Sequence, residues 1–324
     1  MCRSFLLLAG SSNPQLAEKM SQALDQPLVS RKAKPFSSGE PCVEVHDNVR
    51  GQHVVILQSV GRNIDGRSTN YYFMELLLLM DACKRSNAKS ITVVIPCYPY
   101  ARQDKKDRPR VPISSKLTAD ILELAGATRV VTVDLHSAQI QGMFSRPVDN
   151  LYAIGIMSDY LKTIMDPFTD VLVSPDNGGS KRIEAYAARL SLPHLIMHKS
   201  RDYSKESHVM KSIIIGEVDD LVGKRAIVVD DMIDTGGTML KCFDSLKEAG
   251  IKSVILVVTH GIFSGDGARR IQESSMVEKV IATNSLPMDF PGFDKLTVID
   301  LGPLLADVVR CIFSGGSVSK FFDS

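Results

Sequence analysis

The stretch Ala226-Ile227-Val228-Val229-Asp230-Asp231-Met232-Ile233-Asp234-Thr235-Gly236-Gly237-Thr238 narrows the possible folds of this chain more than any other segment. Its first four residues are apolar and three are β-branched, the composition of a strand buried on both faces of a parallel sheet. Two consecutive carboxylates follow. Burying Asp230 and Asp231 without partners would be costly, so they are expected at the strand's carboxyl end facing a ligand, where open α/β sheets place their sites. Asp234 to Thr238 then lead into a helical pattern carried by Leu240, Phe243, Leu246 and Ala249. Glycines let backbone N–H groups approach an anion, the threonine hydroxyls add donors, and a helix N-terminus supplies a favourable partial charge. The segment therefore reads as a phosphate cradle, with the adjacent acids suited to a sugar's hydroxyls. The alternative is a capped strand-to-helix turn, which would need only one Asp or Thr.

Strand-like and helix-like segments alternate along the whole chain, which predicts an α/β fold of mainly parallel sheets flanked by helices. Strands are expected over 4–9, 54–60, 90–95 and 129–133, and again over 171–174, 194–198, 226–230, 253–259 and 279–283. A first helix is expected from Pro14 to Leu24, capped by Ser12 or Asn13. The run from Phe73 to Met80, dominated by Leu and Met, fits a core-facing helix. A length of 324 residues suits two domains, and the similar halves place the boundary near Asp149, giving 1–149 and 150–324. The last amphipathic stretch, 301–313, is a candidate to pack back on the first domain.

A formal net charge of +1 argues against a general attraction to nucleic acid or membrane, so any anion site must be local. The six cysteines lack CxxC or metal-like spacing and are expected to be free thiols in a reducing compartment. No apolar run approaches membrane-spanning length, and a soluble, cytoplasmic protein is expected.

Three further segments carry chemistry. Ile95-Pro96-Cys97-Tyr98-Pro99-Tyr100-Ala101-Arg102-Gln103 follows a strand, and its prolines would present Arg102 and Gln103 with little freedom. Val133-Asp134-Leu135-His136 ends a strand with an acid and an imidazole two residues apart, expected on one side of the strand. Ser174-Pro175-Asp176-Asn177-Gly178-Gly179-Ser180-Lys181-Arg182 is a second strand-to-helix turn, and Lys199 and Arg201 alternate at a strand end ahead of the polar stretch 202–207, read as mobile. Each also has a plainer reading, as a solvated loop, a hydrogen-bonded structural histidine, a capped helix and a solvated strand end.

The segment 226–238 resembles the phosphoribosyl-pyrophosphate loop of the type I phosphoribosyltransferase fold. The proline-aromatic stem, with Gly10-Ser11-Ser12, Val49-Arg50-Gly51, Thr259-His260-Gly261-Ile262-Phe263-Ser264-Gly265 and Ser317-Val318-Ser319, extends the likeness over nearly the whole chain, which resembles the ribose-phosphate diphosphokinase (phosphoribosyl pyrophosphate synthetase) family. That resemblance implies two phosphoribosyltransferase-like domains. It implies transfer of the pyrophosphoryl group of ATP to ribose 5-phosphate with Mg2+ as cofactor. Asp230 and Asp231 would hold the ribose hydroxyls, and Asp234, Thr235, Gly236, Gly237 and Thr238 the 5-phosphate. Asp176, Asn177, Gly178 and Gly179 would form the pyrophosphate loop. His136 and Asp176 would be metal ligands, and Lys199 and Arg201 the catalytic cations. Arg102 and Gln103 would contact ATP, with Phe36, Ser38 and Glu40 reaching a neighbouring subunit's nucleotide. This last point implies a homo-oligomer, at least a dimer and by family likeness a hexamer. Arg50, Gln141, Asn150, Ser317, Val318 and Ser319 resemble parts of an allosteric site for phosphate and ADP.

The sequence departs from the family pattern at several places. Ser38 replaces Asn or Asp, Asn177 a small residue, Ala138 a hydroxyl-bearing one and Ser145 an acid, and the segment 61–72 is lengthened. Two other readings are a non-catalytic regulatory subunit, whose catalytic loop would carry an insertion that 199–210 lacks, and a base phosphoribosyltransferase, which would not need the segment around Arg102.

Overall fold

The computed structural model describes residues 5–61, 65–201, 210–216, 218 and 220–321. The described residues form two compact units, one within 5–152, 284–289 and 300–321, the other within 153–283 and 290–299. In the first unit, β1 (Leu6–Ala9), α1 (Pro14–Leu24), an antiparallel ribbon of β2 (Arg31–Pro35) and β3 (Pro41–Val45), β4 (His53–Leu57), α2 (Thr69–Arg85), β5 (Ser90–Val94), α3 (Ser114–Ala125), β6 (Arg129–Val133) and β7 (Val148–Leu151) follow one another. The second holds α4 (Ile154–Leu161), β8 (Asp170–Ser174), α5 (Ser180–Leu190), β9 (His194–Arg201), β10 (Met210–Gly216), β11 (Arg225–Ile233), α6 (Gly237–Glu248), β12 (Ser253–Gly261), α7 (Gly267–Glu273), β13 (Val277–Thr283) and β14 (Leu296–Ile299). The chain then returns to the first unit as α8 (Gly302–Ser314), which packs on α1.

The first unit's sheet is parallel throughout, in the order β1-β4-β5-β6-β7. Its core is built from the apolar runs of β4 and β5 and from Leu76, Leu79 and Met80 of α2, all without solvent exposure. Asn13 caps α1 by accepting the Leu16 N–H at 3.2 Å, which settles the cap between the two residues considered. The Glu75 carboxylate on α2 is fully buried, yet it accepts the Ser11 N–H at 3.0 Å, the Ser11 hydroxyl at 2.7 Å and Gln58 Nε2 at 3.0 Å. Those donors are what a buried charge requires.

The second unit's sheet runs β10-β9-β8-β11-β12-β13-β14, parallel except for β10 against β9. Its centre, Val171 to Val173, Ala226 to Val228 and Val254 to Val258, is buried from solvent, as helices on both faces of a parallel sheet demand. At the amino end of β11, Arg225 grips the buried Asp170 carboxylate through two hydrogen bonds of 2.8 Å. This bidentate pair locks β8 and β11 in register at the end opposite the paired acids.

Several expectations need correction. The boundary expected near Asp149 moves to between Tyr152 and Ala153, because Val148 to Leu151 pair with β6, whereas the last helix packs on the first unit as the sequence suggests. The acids at 230 and 231 do not end their strand, because β12 is equally long and keeps pairing through Met232↔His260 and Ile233↔Gly261. The ribbon, β7, β10 and β14 were not anticipated. Among the described cysteines all five are free, with Cys83, Cys97 and Cys242 buried, and burial pushes the Cys83 thiol up to about 11; Cys2 lies outside the described residues. No described helix is long and apolar enough to cross a membrane.

Candidate active site

In the second unit the paired acids meet a cation that the sequence reading had not singled out. Arg182, in the first turn of α5, places Nη1 3.2 Å from Asp230 Oδ1 and 3.5 Å from Asp231 Oδ1. Burial first, and then the Asp231 carboxylate beside it, push Asp230 well above the ordinary carboxylate range, against the pull of Arg182. The Asp231 N–H donates to Asp230 Oδ1 at 2.9 Å and fixes that carboxylate against the strand. The Asp230 side chain keeps 20% exposure and Asp231 only 5%, so of the two Asp230 is the more open to a ligand.

Beyond β11 the chain turns through Asp234, Thr235 and Gly236, and Gly236 takes φ +75° as the residue before α6. A side chain is strained there, and an added Cβ would also come within 3.3 Å of Ile271 Cδ1. Thr235, Gly237, Thr238, Leu240, Lys241, Asp244 and Arg270 line an open pocket of about 610 Å³ at the start of α6. Loop amides, a helix N-terminus and two nearby cations make this an anion-accepting surface.

The second turn, between β8 and α5, lies in the same unit. Asp176 accepts the Gly178 N–H at 2.8 Å, and the Ser174 hydroxyl donates to the Asp176 carbonyl at 2.8 Å. Gly179 admits no side chain, since a Cβ would sit 2.4 Å from Ser174 Oγ. Asn177 Nδ2 lies 2.7 Å from His198 Nδ1, tying the turn to β9 one residue before Lys199. Lys199 and Arg201 occupy the end of β9 opposite Ser212 and Met210 of β10. Their side chains, and the stretch 202–207 read as mobile, lie outside the described residues.

In the first unit, the loop after β5 is pinned around Gln103. Its carbonyl accepts the Ser115 N–H at 3.2 Å and the Ser115 hydroxyl at 3.0 Å, and its side-chain oxygen accepts from the Ser114 hydroxyl. The Tyr98 hydroxyl donates to the Ser115 carbonyl at 3.1 Å, so the start of α3 anchors the loop and leaves Arg102 and Gln103 on the surface. At the tip of the ribbon, Phe36 is 58% exposed. The Phe36 N–H donates to the Glu40 carbonyl at 2.8 Å, and the Ser38 hydroxyl to the Glu40 carboxylate at 2.7 Å, which sets the turn. Of the lengthened segment 61–72, residues 62–64 lie outside the described residues and 69–72 open α2.

Asp134 and His136 do not share a side. The strand stops at Val133, Asp134 takes φ +42° and is buried, and His136 is exposed, because the left-handed residue breaks the alternation. The remaining candidates make local bonds. The Arg50 N–H donates to Asn48 at 3.0 Å, Gln141 to the Ala138 carbonyl at 3.1 Å, and the Ser319 N–H to the Ser317 hydroxyl at 3.2 Å; Val318 is half-buried. Asn150 is buried and accepts the Leu135 N–H at 3.0 Å. Among the described residues no three His, Cys, Asp or Glu side chains cluster to cage a metal. The Asp176 carboxylate is an oxygen ligand of the kind a hard cation takes together with phosphate oxygens and water.

The two ends of the chain match known domains. Residues 5–126 match the N-terminal domain of ribose phosphate pyrophosphokinase, and residues 210–323 the phosphoribosyl synthetase-associated domain. The chain is 43% identical to ribose-phosphate pyrophosphokinase 4 of Saccharomyces cerevisiae over 98% of its own length and 95% of the relative's. It is 42% identical to the ribose-phosphate pyrophosphokinase of Aquifex aeolicus over 98% of each. The crystal structure of phosphoribosylpyrophosphate synthetase from Mycobacterium smegmatis matches it with a TM-score of 0.88 at 40% identity, over 97% of this chain and 100% of that one. With sequence and fold in agreement over nearly the full length, the chain belongs to the ribose-phosphate pyrophosphokinase family.

Proposed function

We propose that this chain is an enzyme that transfers the pyrophosphoryl group of ATP to the anomeric hydroxyl of ribose 5-phosphate, releasing phosphoribosyl pyrophosphate and AMP. The observation that carries the reading is the Asp230–Arg182–Asp231 cluster beside the glycine turn of α6, in a chain 43% identical to a named ribose-phosphate pyrophosphokinase. Asp230 and Asp231 accept hydrogen bonds from the ribose hydroxyls, while the amides and hydroxyls from Asp234 to Thr238 hold the 5-phosphate. Arg102 and Gln103 bind ATP, joined by Phe36, Ser38 and Glu40 of a neighbouring subunit, so the working form is a homo-oligomer, a hexamer by family likeness. Asp176 and His136 hold Mg2+, which when bound offsets charge on the phosphate oxygens.

The anomeric oxygen attacks the β-phosphorus in line, the bond from that phosphorus to the α–β bridging oxygen breaks, and AMP leaves with that oxygen. The anomeric proton passes to solvent, and no covalent enzyme intermediate is needed. The Gly178 and Gly179 amides, beside Asn177, face the transferred group, with Lys199 and Arg201 adding positive charge. Phosphate and ADP act at a regulatory site that includes Arg50, Gln141, Asn150 and Ser317 to Ser319, in a cytoplasmic enzyme.

Thr238→Ala, which removes one hydroxyl donor of the loop, tests the assignment. Losing a hydrogen bond to a charged group costs about 1.5–3 kcal/mol, so the KM for ribose 5-phosphate should rise roughly 10- to 150-fold. The KM for ATP should hold. A rise confined to ATP would place the sugar phosphate elsewhere.

A further inference from the structure

The loop read above as the sugar-phosphate cradle is held from behind by one segment, residues 262–270. The Ile233 carbonyl accepts the Ile262 N–H at 2.8 Å and the Phe263 N–H at 3.3 Å. The next carbonyl, of Asp234, lies so close to Gly267 that an added Cβ would come within 2.5 Å of it. The third, of Thr235, accepts from Arg270 Nη1 at 3.1 Å. Three successive carbonyls thus meet the same short stretch of chain. Phe263 holds its place there with φ +46° and no solvent exposure, a conformation rare for a bulky residue that persists only where the surroundings impose it.

Because a trans peptide is planar, its C=O and the following N–H point in opposite directions. Anchoring the carbonyls of Ile233, Asp234 and Thr235 on one side therefore turns the amides of Asp234, Thr235 and Gly236 to the other. Converging amides form an anion-binding concavity. Arg270 anchors the loop through its side chain, and its Nη1 also lies 3.9 Å from where a Cβ of Gly237 would stand. It therefore braces the loop at the point where the chain enters α6.

We infer that Arg270 is a positioning residue for ribose 5-phosphate, setting the direction of the loop amides by holding the Thr235 carbonyl. This rests on the assignment of the loop to the sugar phosphate. Arg270 is exposed on α7, so its substitution removes an anchor without opening a core.

The test measures kcat, both KM values and thermal unfolding for full-length Arg270→Ala and Arg270→Lys, with ribose 5-phosphate binding followed calorimetrically. Arg270→Ala should raise the KM and Kd for ribose 5-phosphate about tenfold or more, while kcat and the KM for ATP stay within about twofold. Arg270→Lys, which can still donate to the carbonyl, should recover most of the loss. Wild-type activity with unchanged ribose 5-phosphate binding in Arg270→Ala overturns the inference alone, as do equal rises in both KM values or a lysine variant as impaired as alanine. A wild-type chain that neither binds ribose 5-phosphate nor forms AMP overturns the inference together with the assignment beneath it.

Discussion

Asp230 sits between opposed influences, a low-dielectric setting and the Asp231 carboxylate that favour its proton, and the Arg182 guanidinium that favours its charge. The balance leaves its ionisation range raised, so as pH falls Asp230 takes up a proton earlier than an ordinary carboxylate would. Ribose hydroxyls donate best to an ionised acceptor, hence the KM for ribose 5-phosphate should climb as pH drops through that raised range. Arg182→Met removes the opposing cation. It should move the acid limb of kcat/KM for ribose 5-phosphate toward higher pH, because the charged form loses its stabilising partner. An acid limb that stays in place in the variant would mean that Asp230 does not control sugar binding. Arg182 and Arg270 were also the residues least readable in the sequence. The acids and glycines of 230–238 are neighbours along the chain, so a local pattern reveals them. Their cationic partners come from |i−j| = 48 and |i−j| = 35 away, and only the folded sheet brings them in.

The elements that were legible are those with a strong local signal. Pro14 to Leu24 matched residue for residue, because proline at the start and an asparagine cap mark a helix independently of its surroundings. The central strands were found because their β-branched runs are buried on both faces. The ribbon was missed because β2 and β3 carry charged or polar residues, are half-buried at most, and have Pro35 paired with Pro41, a composition that reads as a loop. Strand β10 was missed because an edge strand with Ile213 and Ile215 about half exposed has neither a buried run nor clean alternation. Its pairing with β9 holds the backbone of Lys199 and Arg201, the proposed catalytic cations, in an extended ladder. If both cations meet the phosphates as charge redistributes during transfer, they act on kcat. Each alanine substitution should lower kcat at least about 100-fold with far smaller KM changes. The double variant should lose much less than the product of the two, because both serve one arrangement of the strand end. Two folded single variants with near-normal kcat would end the catalytic assignment.

At the scale of the whole molecule, the parallel sheets, the alternation of strand and helix and the outline of the domain division could be read from pattern, whereas the passage of 284–289 into the first unit could not. Residues 300–321 come last among the described residues yet complete the first unit, where Leu305, Val308 and Val309 of α8 are fully buried. No periodicity in that helix says which of two cores receives its apolar face. Across the full chain, the proposed transfer predicts a single reaction with two products in equal amounts. The direct measurement is ³¹P NMR of the full-length protein with ATP, Mg2+ and ribose 5-phosphate. The account predicts matched growth of AMP and of a pyrophosphoryl group on the sugar's anomeric carbon, with neither appearing when ribose 5-phosphate is omitted. Formation of ADP in place of AMP, AMP formation that ignores ribose 5-phosphate, or no turnover by the folded assembly would contradict it.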